Sequence, residues 1–564
     1  MRIRGLVLSL VPALLACSSD AERTLGDSTG AAGTPGGTVV ITVGAIPKSI
    51  FPPLVSSIGE NQIADIIYDR LAEPAGSLNT VGMDGFEPEL AAGWEWGPDS
   101  LSIVFRIDPR ARWHDGVAVT ARDVKFTYEL YVDSATNSAD APLLANIDSV
   151  SVRDSLTAVF WYKRRYPEQF FDAAYQMRIM PQHALASVRR SALDTSSATR
   201  RPIGSGRFRF ANWSPGSLEL VADTANFLGR PKLDRLVWVL SPDYDASLVK
   251  LIADDADFLE FIRPDKLSQL ARNPQLRVLT YPSLNLGFIQ FNLHDGATQR
   301  DHPILGNVAM RRALSMAIDR ARIVRTVFDT LGRVAIGPTV RALGSADSTI
   351  ALPPFDPGAA RRILDSLGWT DPDGDTLRTR GGKPLRFTLI VPSSSGVRKT
   401  AAEAAQQMLK DVGVDMRIEM LEINAWLARS QGRTFDATFN STILDPSPSS
   451  IRQAWGSESG LMAGGRNHSG YQSRAFDAYV DSAIASMDAA KGKAYYRRAY
   501  ETIVADAPAI WLYELVNVAG VDKALRTTGL RADAWWARIA DWSWEEAAAE
   551  RTNQNGGTPR TASR

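Results

Sequence analysis

The chain holds one cysteine, Cys17, in 564 residues. An internal disulfide is excluded, and so is a zinc or redox site built on paired cysteines. Net charge is missing too: 63 Lys and Arg balance 63 Asp and Glu. That balance removes the basic footprint of a nucleic-acid binder. Histidines number only five, at 114, 183, 294, 302 and 468, without H-E-x-x-H spacing. No G-x-S-x-G elbow, Walker A loop or G-x-G-x-x-G fingerprint is present. No carboxylate pair stands out as catalytic, so the chain is read as a non-enzyme without cofactor or metal. Asp371, Asp373 and Asp375 begin like an EF-hand loop, but Thr376 and Gly382 occupy positions six and twelve. Those positions need Gly and Glu, so the stretch is read as a solvated turn.

Length alone suggests about three or four domain-sized units. A content of 45% hydrophobic and 22% charged residues is that of a globular protein. The N-terminus differs from the rest. Arg2 and Arg4 precede an apolar run, Leu6 to Ala16, of 11 residues. A membrane helix needs about 20, whereas a secretory signal has this layout. Leu14-Leu15-Ala16-Cys17 resembles the bacterial lipobox. The resemblance implies removal of residues 1–16, acylation of Cys17 and an exported protein facing the periplasm or cell exterior, held to a membrane by lipid. Residues 17–37 are small, polar and Gly-rich, a flexible tether. Residues 546–564 read as a flexible tail.

Between these ends, strand and helix patterns alternate. The β-branched run 38–43 and the runs 101–107, 218–223 and 232–240 predict strands. Apolar spacing predicts helices over 61–71, 307–328, 358–367, 399–413 and 493–507. Further strands are predicted at 385–391 and 415–423. This alternation points to an α/β fold with mostly parallel sheets.

Glu87 to Leu130 carries the most distinctive pattern. It supplies Pro88, Leu90, Ala91, Trp94, Phe105, Arg106, Trp113, Asp115, Gly116, Thr120, Ala121, Asp123, Val124 and Phe126. Asp115-Gly116 reads as a tight turn, and Thr120 with Asp123 as the start of a helix. These residues closely resemble the signature of family 5 extracellular solute-binding proteins, the dipeptide, oligopeptide and nickel receptors of ABC importers. Similar matches continue at 203–213, 226–238, 286–295, 307–320 and 495–514, so the resemblance covers about 38–544.

The resemblance implies a two-lobed periplasmic-binding-protein fold (class II, cluster C-like) with a subdomain inserted in lobe 1. Lobe 1 would comprise 38–75, 205–291 and 510–545, the inserted subdomain 76–204, and lobe 2 292–509. Crossovers near Phe291 and Ile510 would form the hinge. It also implies a monomer that captures a small solute, peptide or peptide-like, and delivers it to an ABC permease and ATPase complex. Non-peptide receptors of sugars, opines or metal chelates belong to the same family. A surface lipoprotein with a sensing, adhesion or chaperone role is the other alternative.

In peptide-binding members a lobe-2 strand pairs with the ligand backbone, and an Asp after it holds the α-ammonium. Taking Asp445-Pro446 as the following dipeptide, the strand residues are Phe439, Asn440 and Ser441, and the ammonium position is Thr442. Threonine cannot neutralise a buried ammonium, which then carries a penalty of several kcal/mol. The usual capture of a free N-terminus is therefore not expected at Thr442; Asp445 could substitute from a shifted loop. Among the nearby aromatics Trp426, Phe435, Phe439, Trp455 and Tyr471, Phe439 and Trp455 are the cleft candidates. The proline-bearing loop 46–57 is the lobe-1 segment expected to face the cleft.

Overall fold

The computed structural model describes residues 36–545, except 56, 295–299, 372–376 and 463–464. Cys17, the tether to residue 35, Asp373, Asp375 and the tail from 546 lie outside the described residues.

One 11-stranded sheet runs through the molecule. Its spine is a pair of long antiparallel strands, Leu276–Phe291 and Ala509–Asp522. At one end, 276–282 pairs with 516–522, and beside them lie Phe258–Leu259, Thr38–Val43, Arg235–Leu240, Ser217–Ala222 and Phe208–Ser214. At the other end, 286–291 pairs with Ala437–Ile443, followed by Arg386–Pro392 and Asp415–Leu421. The two lobes are thus built on the two halves of the same strands. Their ladder breaks register between Pro282 and Leu286. Proline has no N–H to give a ladder, so an irregularity there is the natural outcome.

The sheet is mixed, not mostly parallel. Thr38–Val43 with Arg235–Leu240 and Arg386–Pro392 with Asp415–Leu421 are parallel, but the spine and the hairpin strands 208–222 are antiparallel. Period-2 patterning reveals a strand but not the direction of its neighbour.

A separate four-stranded antiparallel sheet, in the order Ala91–Trp96, Ser102–Ile107, Thr157–Tyr162 and Ile147–Asp154, forms the inserted unit. Its core includes Phe105, Trp113, Tyr131, Phe160 and Phe170. Helix Ala121–Val132 starts where the sequence places it: the Asp123 carboxylate accepts from the Thr120 backbone N–H and hydroxyl. Gly116 adopts φ 88° in the turn after Asp115.

Helix bounds shift by up to four residues from the sequence reading, and two departures have a clear local cause. The first helix runs Ile58–Ile67, because Ser57 and Glu60 close a capping box upstream of the apolar stripe. It stops at Tyr68, which is extended. The apolar stretch 307–328 is two helices, Val308–Met316 and Arg320–Val327. Asp319 caps the second by accepting from the Arg322 N–H at 2.9 Å. Arg320 then turns inward, donating to the Trp511 and Pro353 carbonyls and the Ser315 hydroxyl. The break serves to bury this arginine against the spine.

Candidate ligand cleft

The spine brings lobe 2's strand Ala437–Ile443 to the boundary with lobe 1. Strand Arg386–Pro392 pairs with it only at Ala437 and Thr438. Beyond that point the outer edge of residues 440–443 has no ladder partner among the described residues. An open strand edge presents N–H and C=O groups to an extended ligand. The side chains here are partly engaged. Asn440 Nδ2 donates to Gln290 Oε1 at 2.7 Å, and Ser441 Oγ donates to Asn285 Oδ1 at 2.7 Å. Thr442 is exposed, with only a 3.5 Å donation to the Ile443 carbonyl.

A cavity of about 360 Å³ opens beside this edge. Ile443, Leu444 and Pro446 line it from lobe 2. From the other side come Ile58, Asn61, Tyr175, Glu260, Tyr281 and the pair Trp535-Trp536. Ile58 and Ile443 are 53% and 62% exposed, large apolar side chains facing solvent from both walls. A second cavity, about 320 Å³, shares Asp65, Arg70, Ala534 and Trp536 with the first. Its lining lies wholly in 65–89, 207–228 and 531–541, so no part of lobe 2 touches it. The cleft is therefore the cavity that both lobes line.

The wall between the two cavities is an ionic chain. Arg70 and Arg178 both meet Asp65 Oδ1, at 2.7 and 2.6 Å, with all three side chains under 10% exposed. Arg70 also reaches Glu73, which bonds Arg531, which bonds Asp533. Trp536 Nε1 donates to Asp65 Oδ2 at 2.8 Å. Burial works to raise the Asp65 carboxyl, but Arg178 and Arg70 hold it below the usual range. Both arginines of the cleft wall are thus committed to protein carboxylates.

Phe439 is fully buried in the lobe-2 core, and Trp455 packs on Phe288 and Trp511 there. Trp426, Phe435 and Tyr471 are buried as well. The cleft's aromatics come instead from Tyr175, Tyr281, Trp535 and Trp536. The sequence signal for the last two was the tryptophan cluster at 535, 536, 542 and 544. In the loop 46–57, Ile50 and Phe51 plunge into the lobe-1 core; the cleft contact falls just beyond, at Ile58. Asp445 is absent from the cleft lining. It faces a smaller hollow and accepts from the Ser447 N–H at 2.8 Å.

Asp445 belongs to an acidic contact between the inserted unit and lobe 2. Thr80 donates to Glu168 at 3.3 Å and to the Pro446 carbonyl at 3.5 Å, and Glu168 accepts from Ser447 and Ser449. Nearby, Asp172 accepts from the Tyr166 hydroxyl at 2.6 Å. Burial pushes Asp172 up to about 8, with Glu168 and Asp445 adding to the rise and Arg164 opposing it. A carboxyl raised above its unfolded value of 3.8 binds its proton more tightly when folded. Its contribution is full below about pH 4 and is lost as pH climbs to about 8. Melting curves from pH 5 to 9 should therefore show the wild type losing stability relative to Asp172→Asn as pH rises; parallel curves would contradict this.

Three of the histidines bond within the scaffold. His114 bonds the Gly206 carbonyl at 2.9 Å, His183 bonds Asp115 at 2.7 Å, and His302 meets Asp436 at 3.2 Å.

The profile of bacterial extracellular solute-binding proteins, family 5 (Middle), matches residues 85–462. The chain belongs to this family. Oligopeptide-binding protein AppA of Bacillus subtilis strain 168 is 26% identical over 517 residues, spanning 90% of this chain and 92% of AppA. The AppA structure in complex with a nonapeptide gives a TM-score of 0.70 at 24% identity, covering 91% of this chain and all of that one. The substrate-binding protein CtaP of Listeria monocytogenes gives 0.79 at 21% identity, covering 91% of this chain and all of CtaP. NikZ of Campylobacter jejuni, solved with Ni(L-His), gives 0.70 at 22% identity, covering 90% and 99%. The fold is thus the two-lobed fold of family 5, a family of substrate-binding receptors and not of enzymes. No helix among the described residues is long and apolar enough to cross a membrane.

Proposed function

We propose that this protein is the solute receptor of an ABC importer, exported and anchored through lipid on Cys17. It holds a small solute between its lobes and presents the closed form to a permease and ATPase complex. The single observation carrying this reading is the cavity of about 360 Å³ lined from both lobes beside an open strand edge. Hinge closure in this reading bends the spine at Pro282–Leu286. That is several residues before Phe291, where the family resemblance puts the crossover. In this reading the bounds implied by the resemblance, 38–75, 205–291 and 510–545 for the first lobe and 292–509 for the second with 76–204 inserted, move inward: 286–291 and 509–513 go with the second lobe, whose strand 437–443 and core they join.

Cavity volume favours a short solute. Ligand pockets run from about 300 to 1,000 Å³, and this one lies near the lower end. Ser441 and Asn440 offer their backbone edge, whereas Phe439 and Trp455 support the strand from the core. Asp445 is assigned to the interdomain contact, so neither it nor Thr442 supplies the acid that peptide receptors use.

Differential scanning fluorimetry with separate di- and tripeptide, sugar and metal-chelate pools tests the reading. A ligand at 100 times its Kd stabilises a receptor by about 2.7 kcal/mol. At least one pool should raise the melting temperature in a concentration-dependent way. Flat responses across all pools would contradict a receptor role.

A further inference from the structure

Of the charged groups in the cleft, Glu260 stands apart. It follows the short lobe-1 strand Phe258–Leu259, and its side chain lines the cavity with Tyr281, Trp535 and Trp536. Glu260 Oε2 accepts from Gln62 Nε2 at 2.7 Å. It makes no ion pair among the described residues. The arginines of the cleft cannot serve it, because Arg70 and Arg178 are held by Asp65. Beside it Gln62 Oε1, on a buried side chain, lacks a hydrogen-bond partner. Asp140, elsewhere on the same wall, likewise has no ion pair among the described residues.

An enclosed carboxylate without a cation is costly, and removing the cost requires a positive partner or a proton. Burial raises the Glu260 carboxyl, with Gln62 and Trp535 opposing the rise and no cation contributing. Indole and phenol faces attract cations within about 6 Å of their centres. A carboxylate flanked by two tryptophans and a tyrosine thus has the chemistry of a cation site.

Resting on the receptor reading above, we infer that the solute carries a cationic nitrogen, and that Glu260 pairs with it beside the Trp535 and Tyr281 rings. The acid missing at Thr442 on lobe 2 is replaced by one on lobe 1. The ligand class is an amine, guanidine or quaternary ammonium compound. A peptide amino group is one source of that charge and a non-peptide base is another.

The test incubates the full detergent-solubilised chain with a tryptic casein digest mixed with yeast extract. After dialysis the retained small molecules are released by denaturation and identified by mass spectrometry, which separates peptides from non-peptide bases. Glu260→Gln, which keeps an acceptor for Gln62, and Glu260→Asp are treated alike, and their melting temperatures are recorded. The expected result is a retained solute with a protonated or permanently charged nitrogen. Its yield should fall at least tenfold in Glu260→Gln and less in Glu260→Asp. A neutral or anionic solute, or a cationic one retained equally by folded Glu260→Gln, overturns the inference while leaving the receptor reading intact. If Glu260→Gln does not fold, the wild-type solute's charge and Glu260→Asp decide. Retention of nothing by the wild type removes the receptor reading, and this inference with it.

Discussion

Replacing Asp65 by Ala should destabilise the protein by about 3–5 kcal/mol, the cost of leaving buried charge uncompensated. Asp65 is the shared counter-ion of Arg70 and Arg178, all three side chains being under 10% exposed. The substitution also strips Trp536 Nε1 of its acceptor. Asp65 lies in the first helix, Arg178 in the inserted unit, and Trp536 in the C-terminal segment, so one carboxylate ties together three distant stretches of chain. Equilibrium urea denaturation would show the loss as a lower midpoint with unchanged slope. Glu95→Ala provides the contrast. Its pair with Arg106 is about half exposed on both sides, and such pairs contribute under about 1 kcal/mol. Equal losses in the two variants would contradict the network's role.

Gly206→Ala and Gly204→Ala are the second pair of damaging substitutions. A Cβ at Gly206 would lie 2.3 Å from the Ile66 carbonyl oxygen, and at Gly204 2.0 Å from the Ile67 carbonyl oxygen. The obstacle in both cases is backbone at the end of a helix, and the Gly206 N–H donates to the Ile67 carbonyl oxygen at 2.9 Å. Relief requires the returning chain to back away from the helix and surrender this bond. Overpacking costs about 1–3 kcal/mol and occasionally more; these sites belong at about 3 kcal/mol or above. Gly93→Ala, with nothing within 4 Å of its Cβ, should be near neutral. Thermal melts of the four proteins check the order. The glycines of the "IGSGRF" stretch thereby gain a physical explanation.

Legibility in the sequence followed the range of the interaction. Local signals were readable: the Thr120–Asp123 start, the turn at Gly116, the strands at 38–43 and 102–107. The strand 437–443 shows both sides of this. The resemblance placed a strand there, but burial falls along it instead of alternating, from buried Ala437, Thr438 and Phe439 to exposed Thr442 and Ile443. Proximity along the chain argued for Phe439 and Trp455 in the cleft, but the sheet's faces decided otherwise. The open edge at 440–443, the register break at Pro282 and the aromatic wall needed tertiary information. Glu260, Tyr281 and Trp535 are separated by up to 275 residues and meet only because the spine returns the C-terminal segment to the first lobe. Asp319's break of a continuous apolar stripe was signalled by a good capping residue that the periodicity overrode.

The central claim is that the two lobes close on a solute about the spine. Double electron–electron resonance measures it directly. With Cys17→Ser the chain has no other cysteine, so labels can be placed singly at Lys232→Cys and Lys410→Cys, exposed positions on opposite lobes. The account predicts that saturating solute, taken from the retained fraction, shifts and narrows the interlabel distance distribution. A distribution unchanged by a solute that demonstrably binds would contradict it.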